Sequence, residues 1–366
     1  MTTEVPEHLK DLRNLLAELI EIPGAPGFEE PMMAAFKERI EPYADSVEID
    51  PKGNVIGKIE GTEPGAPSLM IAAHLDEVGF IVTSIEARGF LRIRRLGGPA
   101  HRSLPARMVR IMGEDGSIFG VIGIKPGHIT SGEEALRIPP MEELYIDVGA
   151  SSPEEVQEMG VEVGAPAIFY GGLVPLGNPY RIASKSVDDR AGIVALLKVG
   201  ERLKENRPKG TVYLVGSVEE EIELRGAATA AYHLNPSMAV AIDTQPTNGT
   251  PDLKPGDLPF EIGKGPIIKV SEEGGLVTHP KVRKLLIDAA HEAGVSYQLG
   301  AATPGRSDAS SIEQGRSGIP TAMLGIPRRY SHSPTEVLDL RDLQGLVEVM
   351  ATAIGMVDEH FSLSRI

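Results

Sequence analysis

Apolar residues recur every three or four positions near the start of the chain. Leu9, Leu12, Leu16 and Leu19 share one face behind Pro6, and Pro23-Gly24 follows. This spacing predicts an amphipathic helix that stops at the Pro-Gly pair. A second helix is expected over 30–40, and a hairpin over 47–50 and 54–59, turning through Pro51-Lys52-Gly53. The pattern then changes. Leu69-Met70-Ile71-Ala72-Ala73 is an unbroken apolar run, as a strand buried on both faces requires. Similar runs return at 212–215, 238–242 and 321–326, separated by helical patterns over 191–203, 226–234 and 281–293, and a closing helix is expected over 341–361. This alternation predicts an α/β fold, a mostly parallel sheet flanked by helices.

The middle of the chain reads differently. Short β-like pieces at 90–94, 108–112, 118–124 and 144–148 are punctuated by turn signals such as Gly97-Gly98-Pro99 and Pro126-Gly127. Only 153–159 reads as helical. A small all-β domain over 78–175 is therefore expected as an insertion, leaving a discontinuous α/β domain of 1–77 and 176–366.

Composition narrows the chemistry. Cysteine is absent, which removes disulfides, a thiol nucleophile and thiolate metal sites and leaves His, Asp and Glu as candidate ligands. The net charge is −16 without a basic block, which argues against nucleic acid or an anionic membrane as partner. Tryptophan is absent and aromatic residues make up 4%, a poor supply of stacking platforms for sugars or bases. No apolar run reaches about 18 residues, so no membrane-spanning helix is expected. The first residues lack a basic n-region and an apolar h-region, so no secretory signal is expected and a cytoplasmic protein is the default.

The acids and histidines stand at telling places, because the carboxyl ends of parallel strands form the ligand crevice of such sheets. The first apolar run ends in His74-Leu75-Asp76-Glu77. Asp188-Asp189 opens the 191–203 helix, the 212 run leads to Glu219-Glu220-Glu221, the 238 run ends at Asp243, and the 321 run leads to His332. Singly, each has a plain alternative: Asp189 as a helix-capping acid, the glutamates as a solvated face, His74 as a core histidine. Together at one sheet edge they would be costly without cations, since crowded carboxylates are pushed towards protonation. Two divalent ions balance the carboxylates of Asp188, Glu221 and Asp243 with one positive charge left over, suited to a bridging hydroxide. His74 and His332 complete three ligands per ion if one carboxylate bridges. Asp76 has the spacing to take the second imidazole N–H of His74, and Glu220 is left free as general base.

These residues resemble the tetrahedral aminopeptidases, a family of dinuclear metallopeptidases that includes glutamyl, lysyl and leucyl aminopeptidases and whose members are often labelled endoglucanases. Five motifs match in order along nearly the whole chain: AHLDEVGF at 73–80, VDDRAG at 187–192, EEIELRGA at 220–227, AID at 241–243 and RYSHSP at 329–334. The resemblance implies a zinc-peptidase-like fold, with His74, Asp188, Glu221, Asp243 and His332 as metal ligands and Asp188 bridging. It implies Glu220 as general base, Asp76 as the group orienting His74, and a cis peptide between Asp188 and Asp189. It further implies two zinc or cobalt ions, short peptides with a free N-terminus as substrates, and a dimer-based tetrahedral dodecamer joined through the inserted domain, which would also control substrate access. Glu219 and Glu223 depart from the family's usual Gln and Gly, and Gly305-Arg306-Ser307-Asp308 replaces a Gly-Gly-Thr-Asp-type loop. The preferred N-terminal residue is thus left open: Arg306 or Arg328 would favour acidic side chains, Glu219 or Glu223 basic ones. His128 is a further candidate to approach a neighbouring site, with a plain loop role as the alternative. Two other functions are weighed against the aminopeptidase: a glycosidase using Glu220 with Asp243, and a non-catalytic assembly that binds peptide or metal.

Overall fold

The computed structural model describes residues 4–254, 256–301 and 303–366. Four parallel strands, Val212–Ser217, Leu69–His74, Met238–Pro246 and Thr321–Arg329, lie side by side in that order at its centre. Successive residues of each strand feed opposite faces. Leu69, Ile71 and Ala73 enter one core with the helices Glu7–Ile20, Val187–Glu205, Pro280–Glu292 and Leu340–Gly355. Met70 and Ala72 enter a second, with the helices Arg225–Leu234 and Asp308–Ile312. Both faces are covered, which is why the strands read as unbroken apolar runs.

The sheet as a whole is mixed, not mostly parallel. Ser46–Ile49 and Val55–Ile59 form the expected hairpin and pair antiparallel with Val212–Ser217 at one edge. At the other, Glu336–Asp339, Arg181–Ser184 and Val174–Pro175 each join antiparallel to the strand before them, and Ile267–Lys269 pairs antiparallel with Thr321–Arg329. The connection from Arg329 to Glu336 is a tight turn, far shorter than the dozen or so residues a parallel crossover needs. The closing helix also stops early, at Gly355, and Asp358 then holds a turn by accepting the His360 N–H at 3.0 Å.

Six strands between Gly79 and Phe169 close into a separate antiparallel barrel. Phe80 and Phe169 meet edge to face at 5.5 Å inside it, among Val82, Val109, Ile111 and Ile146. Besides the expected helix at Pro153–Glu158, the barrel carries a short one at Gly132–Leu136. Its first turn is capped by the Ser131 hydroxyl, which accepts the Glu134 N–H at 3.2 Å. The loop after the barrel strand Leu91–Leu96 reaches the carboxyl edge of the main sheet, where the Ala100 N–H donates to the His332 carbonyl at 2.8 Å.

Candidate active site

The candidate residues reach that edge from strands and from strained turns, and the strand that carries Asp243 runs on to Pro246 instead of ending at the acid. His74 closes Leu69–His74, and Asp243 lies within Met238–Pro246. Asp188 opens the helix Val187–Glu205 behind Ser186, whose φ is +47°, and the Asp188–Asp189 peptide is cis. Glu220 and Glu221 follow Glu219 at φ +55°, and His332 itself has φ +56°. Such left-handed conformations are uncommon outside glycine and cluster where a chain aims functional groups.

Asp188 stands at the centre. Its Oδ1 lies 3.2 Å from His74 Nε2, and its Oδ2 lies 3.2 Å from His332 Nε2. Ligand atoms of His74, Asp188 and Asp243 fall within 4.8 Å of one another, and so do those of Asp188, Glu221 and His332. One carboxylate thus belongs to two three-residue clusters. The grouping of His74 with Glu220 and Glu221 meets the same distance limit. The imidazoles are oriented from behind: His74 Nδ1 donates to the Asp76 carbonyl at 3.1 Å, and His332 Nδ1 to the Gly98 carbonyl at 2.9 Å. Both Nε2 atoms then face the carboxylates, the side from which a metal-binding histidine coordinates.

Asp76 does more than the spacing suggested. Its carboxylate lies 3.4 Å from His74 Nδ1, and its two oxygens accept the N–H groups of Glu220 and Glu221 at 3.0 Å each. It therefore ties the loop after one strand to the turn after its neighbour. Glu220 has an oxygen 3.9 Å from His74 Nε2.

The electrostatics show a cluster short of positive charge. Burial pushes Asp243 and Glu220 well above the ordinary carboxylate range, with neighbouring carboxylates adding to it. Burial likewise pushes Glu221 to about 7. His332 is raised to about 9 and His74 is also raised, because nearby Glu221, Glu220 and Asp188 outweigh the opposing effect of burial. Asp188 alone is held low: against its burial stand Arg328 and the two imidazoles. Oxygen and imidazole donors in two three-ligand sets, crowded enough to draw in protons, suit divalent cations.

Glu336, for which the sequence carries no expectation, and Arg328, expected only as a specificity candidate, hold the second cluster together. Glu336 accepts the N–H of Asp188 at 3.1 Å and of His332 at 2.8 Å, and pairs with the buried Arg328. Arg328 in turn lies 2.6 Å from Asp188 Oδ2. Sequence gave no signal for Glu336, since its role depends on the antiparallel return of its strand beside Thr321–Arg329. Buried Glu77 binds Lys185 at 2.8 Å and Arg190 at 3.1 Å, linking the His74 loop to the Asp188 helix. A cleft of about 310 Å³ opens onto the cluster, and Glu223, Arg306 and Arg328 line it. Glu219 points elsewhere, pairing with Lys52 at 2.5 Å and Arg225 at 3.4 Å. His128 is exposed on the barrel.

Residues 53–349, which include every one of these site residues, match the model of the M42 glutamyl aminopeptidases. The chain belongs to this family. It is 33% identical over 339 residues to the lysyl aminopeptidase of Pyrococcus furiosus, covering 92% of this chain and 94% of that protein. The aminopeptidase APDkam598 of Desulfurococcus kamchatkensis superposes with a TM-score of 0.92 at 38% identity, over 97% of each chain. The TET1 peptidase of Pyrococcus horikoshii, which can assemble into a tetrahedron or a large octahedral shell, superposes at 0.82 with 32% identity, over 93% of this chain and 98% of that one. M42 membership makes the chain a peptidase-type hydrolase.

Proposed function

We propose that this M42 chain is a metal-dependent aminopeptidase that removes N-terminal residues from short peptides. The observation that carries the reading is Asp188, one carboxylate placed between His74 and His332 and shared by two ligand clusters. His74, Asp188 and Asp243 would hold one zinc or cobalt ion, and Asp188, Glu221 and His332 the other. When bound, the ions acidify a water and polarise the scissile carbonyl. Glu220, outside both of these three-residue sets and with an oxygen 3.9 Å from His74 Nε2, takes the proton of the attacking water and passes it to the leaving amine. Asp76 keeps His74 and the Glu220 turn in register, and the acidic cleft receives the free α-ammonium of the substrate.

The two stretches 1–77 and 176–366 form the catalytic domain in this reading. The insertion over 78–175 serves assembly and substrate access, in a homo-oligomer built from dimers towards a tetrahedral dodecamer. The likeness to the Pyrococcus horikoshii TET1 peptidase supports that arrangement. No helix among the described residues is long and apolar enough to cross a membrane, and a cytoplasmic location is part of the proposal. Sugar hydrolysis by Glu220 and Asp243 finds less support, because His74 stands against the same carboxylates and the chain has no tryptophan.

The test is amino-acid release from paired free and N-acetylated short peptides, with chelator and with added Zn²⁺ or Co²⁺. Metal-dependent release from free N-termini only is expected. Release from acetylated peptides, or release that survives complete metal removal, overturns the proposal.

A further inference from the structure

The turn that carries Glu220 is held at four consecutive backbone N–H groups, each by a side chain from elsewhere in the chain. The Val218 N–H donates to Asn54 Oδ1 at 3.1 Å, and the Glu219 N–H to Glu29 Oε1 at 3.0 Å. The Glu220 and Glu221 N–H groups take the two oxygens of Asp76. The carbonyls are held as well: those of Val218, Glu219 and Glu220 accept from Gly226, Arg225 and Leu224 at 2.9, 3.1 and 2.9 Å. Loop amides ordinarily face water or other backbone groups. Here three buried acceptors from three separate stretches converge on a segment containing a left-handed glutamate.

Asn54 joins the entry of the turn to its exit. Its Nδ2 donates to the Gly226 carbonyl at 3.0 Å, to Thr229 Oγ1 at 3.1 Å and to Asp50 Oδ2 at 2.7 Å. Glu29 acts through one oxygen, which accepts the Gly27 N–H at 2.9 Å besides that of Glu219. Asn54 and Glu29 thus take the Val218 and Glu219 N–H groups, the two amides of the turn that Asp76 does not reach.

We infer that Glu29 and Asn54 are positioning residues for Glu220, holding the backbone from which its carboxylate reaches the cleft. The inference rests on the reading of Glu220 as general base. It requires an acceptor at position 29 and not a charge, so glutamine, which keeps the oxygen, substitutes for glutamate while alanine does not.

The experiment compares Glu29→Gln, Glu29→Ala and Asn54→Ala with the unsubstituted metal-loaded protein, reading kcat, KM, bound metal and thermal midpoint. Glu29→Ala is expected to lose about 10- to 100-fold in kcat, the scale for an ångström-level displacement of a catalytic group, with KM within about threefold and metal content unchanged. Asn54→Ala should behave alike, which keeps the test open if one alanine variant fails to fold. Glu29→Gln should return kcat to within about threefold of the unsubstituted protein. Full kcat in both alanine variants, equal loss in Glu29→Gln and Glu29→Ala, or a loss that follows metal content overturns the inference. Full turnover by Glu220→Gln would instead overturn the assignment of the base, whatever position 29 does.

Discussion

Glu336→Gln is the substitution whose consequences the structure defines most closely. Three donors end on the Glu336 carboxylate: the His332 N–H and Arg328 on Oε1, and the Asp188 N–H on Oε2. Glutamine offers one oxygen. In its better orientation that oxygen stays with His332 and Arg328, and the new NH₂ group faces the Asp188 N–H. A buried amide left without an acceptor costs about 1–3 kcal/mol, and replacing a charged acceptor at Arg328 by a neutral one costs about 1 kcal/mol more. Arg328 keeps its pairing with Asp188, so the full penalty of an isolated buried charge does not apply. The expected loss is therefore about 2–4 kcal/mol in the metal-free protein. Because the released backbone carries Asp188, and His332 shares the same carboxylate, metal affinity should fall by about 10- to 100-fold, as when groups behind metal ligands are removed. Urea unfolding of the metal-free protein at fixed concentration gives the first quantity, and zinc titration against a competing chelator gives the second. A loss below about 0.5 kcal/mol with unchanged affinity would refute the assignment of Glu336 as the anchor of this cluster.

Other consequences are equally measurable. Glu220→Gln should keep its bound metal and lose about 10²- to 10⁴-fold in peptide turnover, by elemental analysis and steady-state kinetics; normal turnover would remove Glu220 from the mechanism. Gly97 has φ +76°, and an added Cβ would lie 3.0 Å from the Glu221 Cβ, so Gly97→Ala should lower turnover or metal retention while leaving the barrel folded. Asp342 is buried beside the Gly263 and Gly265 N–H groups, and burial raises it to about 7. Its folded proton affinity exceeds the unfolded one, so its contribution to stability is present below about pH 4 and is lost as pH rises through about 7, a span on the order of 4 kcal/mol. The stability difference between Asp342→Asn and the unsubstituted protein should therefore shift in favour of the variant as pH rises from about 4 to about 7, and a pH-independent difference would contradict this.

Much of this was legible from the chain because buried parallel strands announce themselves as unbroken apolar runs. Once Leu69–His74 and Met238–Pro246 are seen as such strands, His74 and Asp243 fall at the ligand edge by position alone. The outer strands were harder. Arg181–Ser184 and Val174–Pro175 are short and flank turns, and nothing local says that they pair antiparallel and make the sheet mixed. Barrel strands were visible as pieces, but Gly132–Leu136 was not, since its one helical turn lies among prolines and exposed residues. The supports of the site were hidden for a different reason. Asp76 could be placed beside His74 from spacing, but its grip on the Glu220 and Glu221 amides spans 144 and 145 residues. Arg328 was read as a specificity candidate, whereas the fold buries it between Asp188 and Glu336. Side chain to backbone contacts over such separations leave no periodicity to read.

The shared carboxylate is the centre of the account, and a metal titration tests it most directly. Metal-stripped protein would be titrated with Zn²⁺ or Co²⁺ while bound ions per chain and peptide turnover are followed together, alongside Asp188→Ala. The account predicts that turnover of the unsubstituted protein reaches its plateau at two ions per chain, and that Asp188→Ala loses tight binding of both. A plateau at one ion, or two ions still held tightly without Asp188, would contradict it.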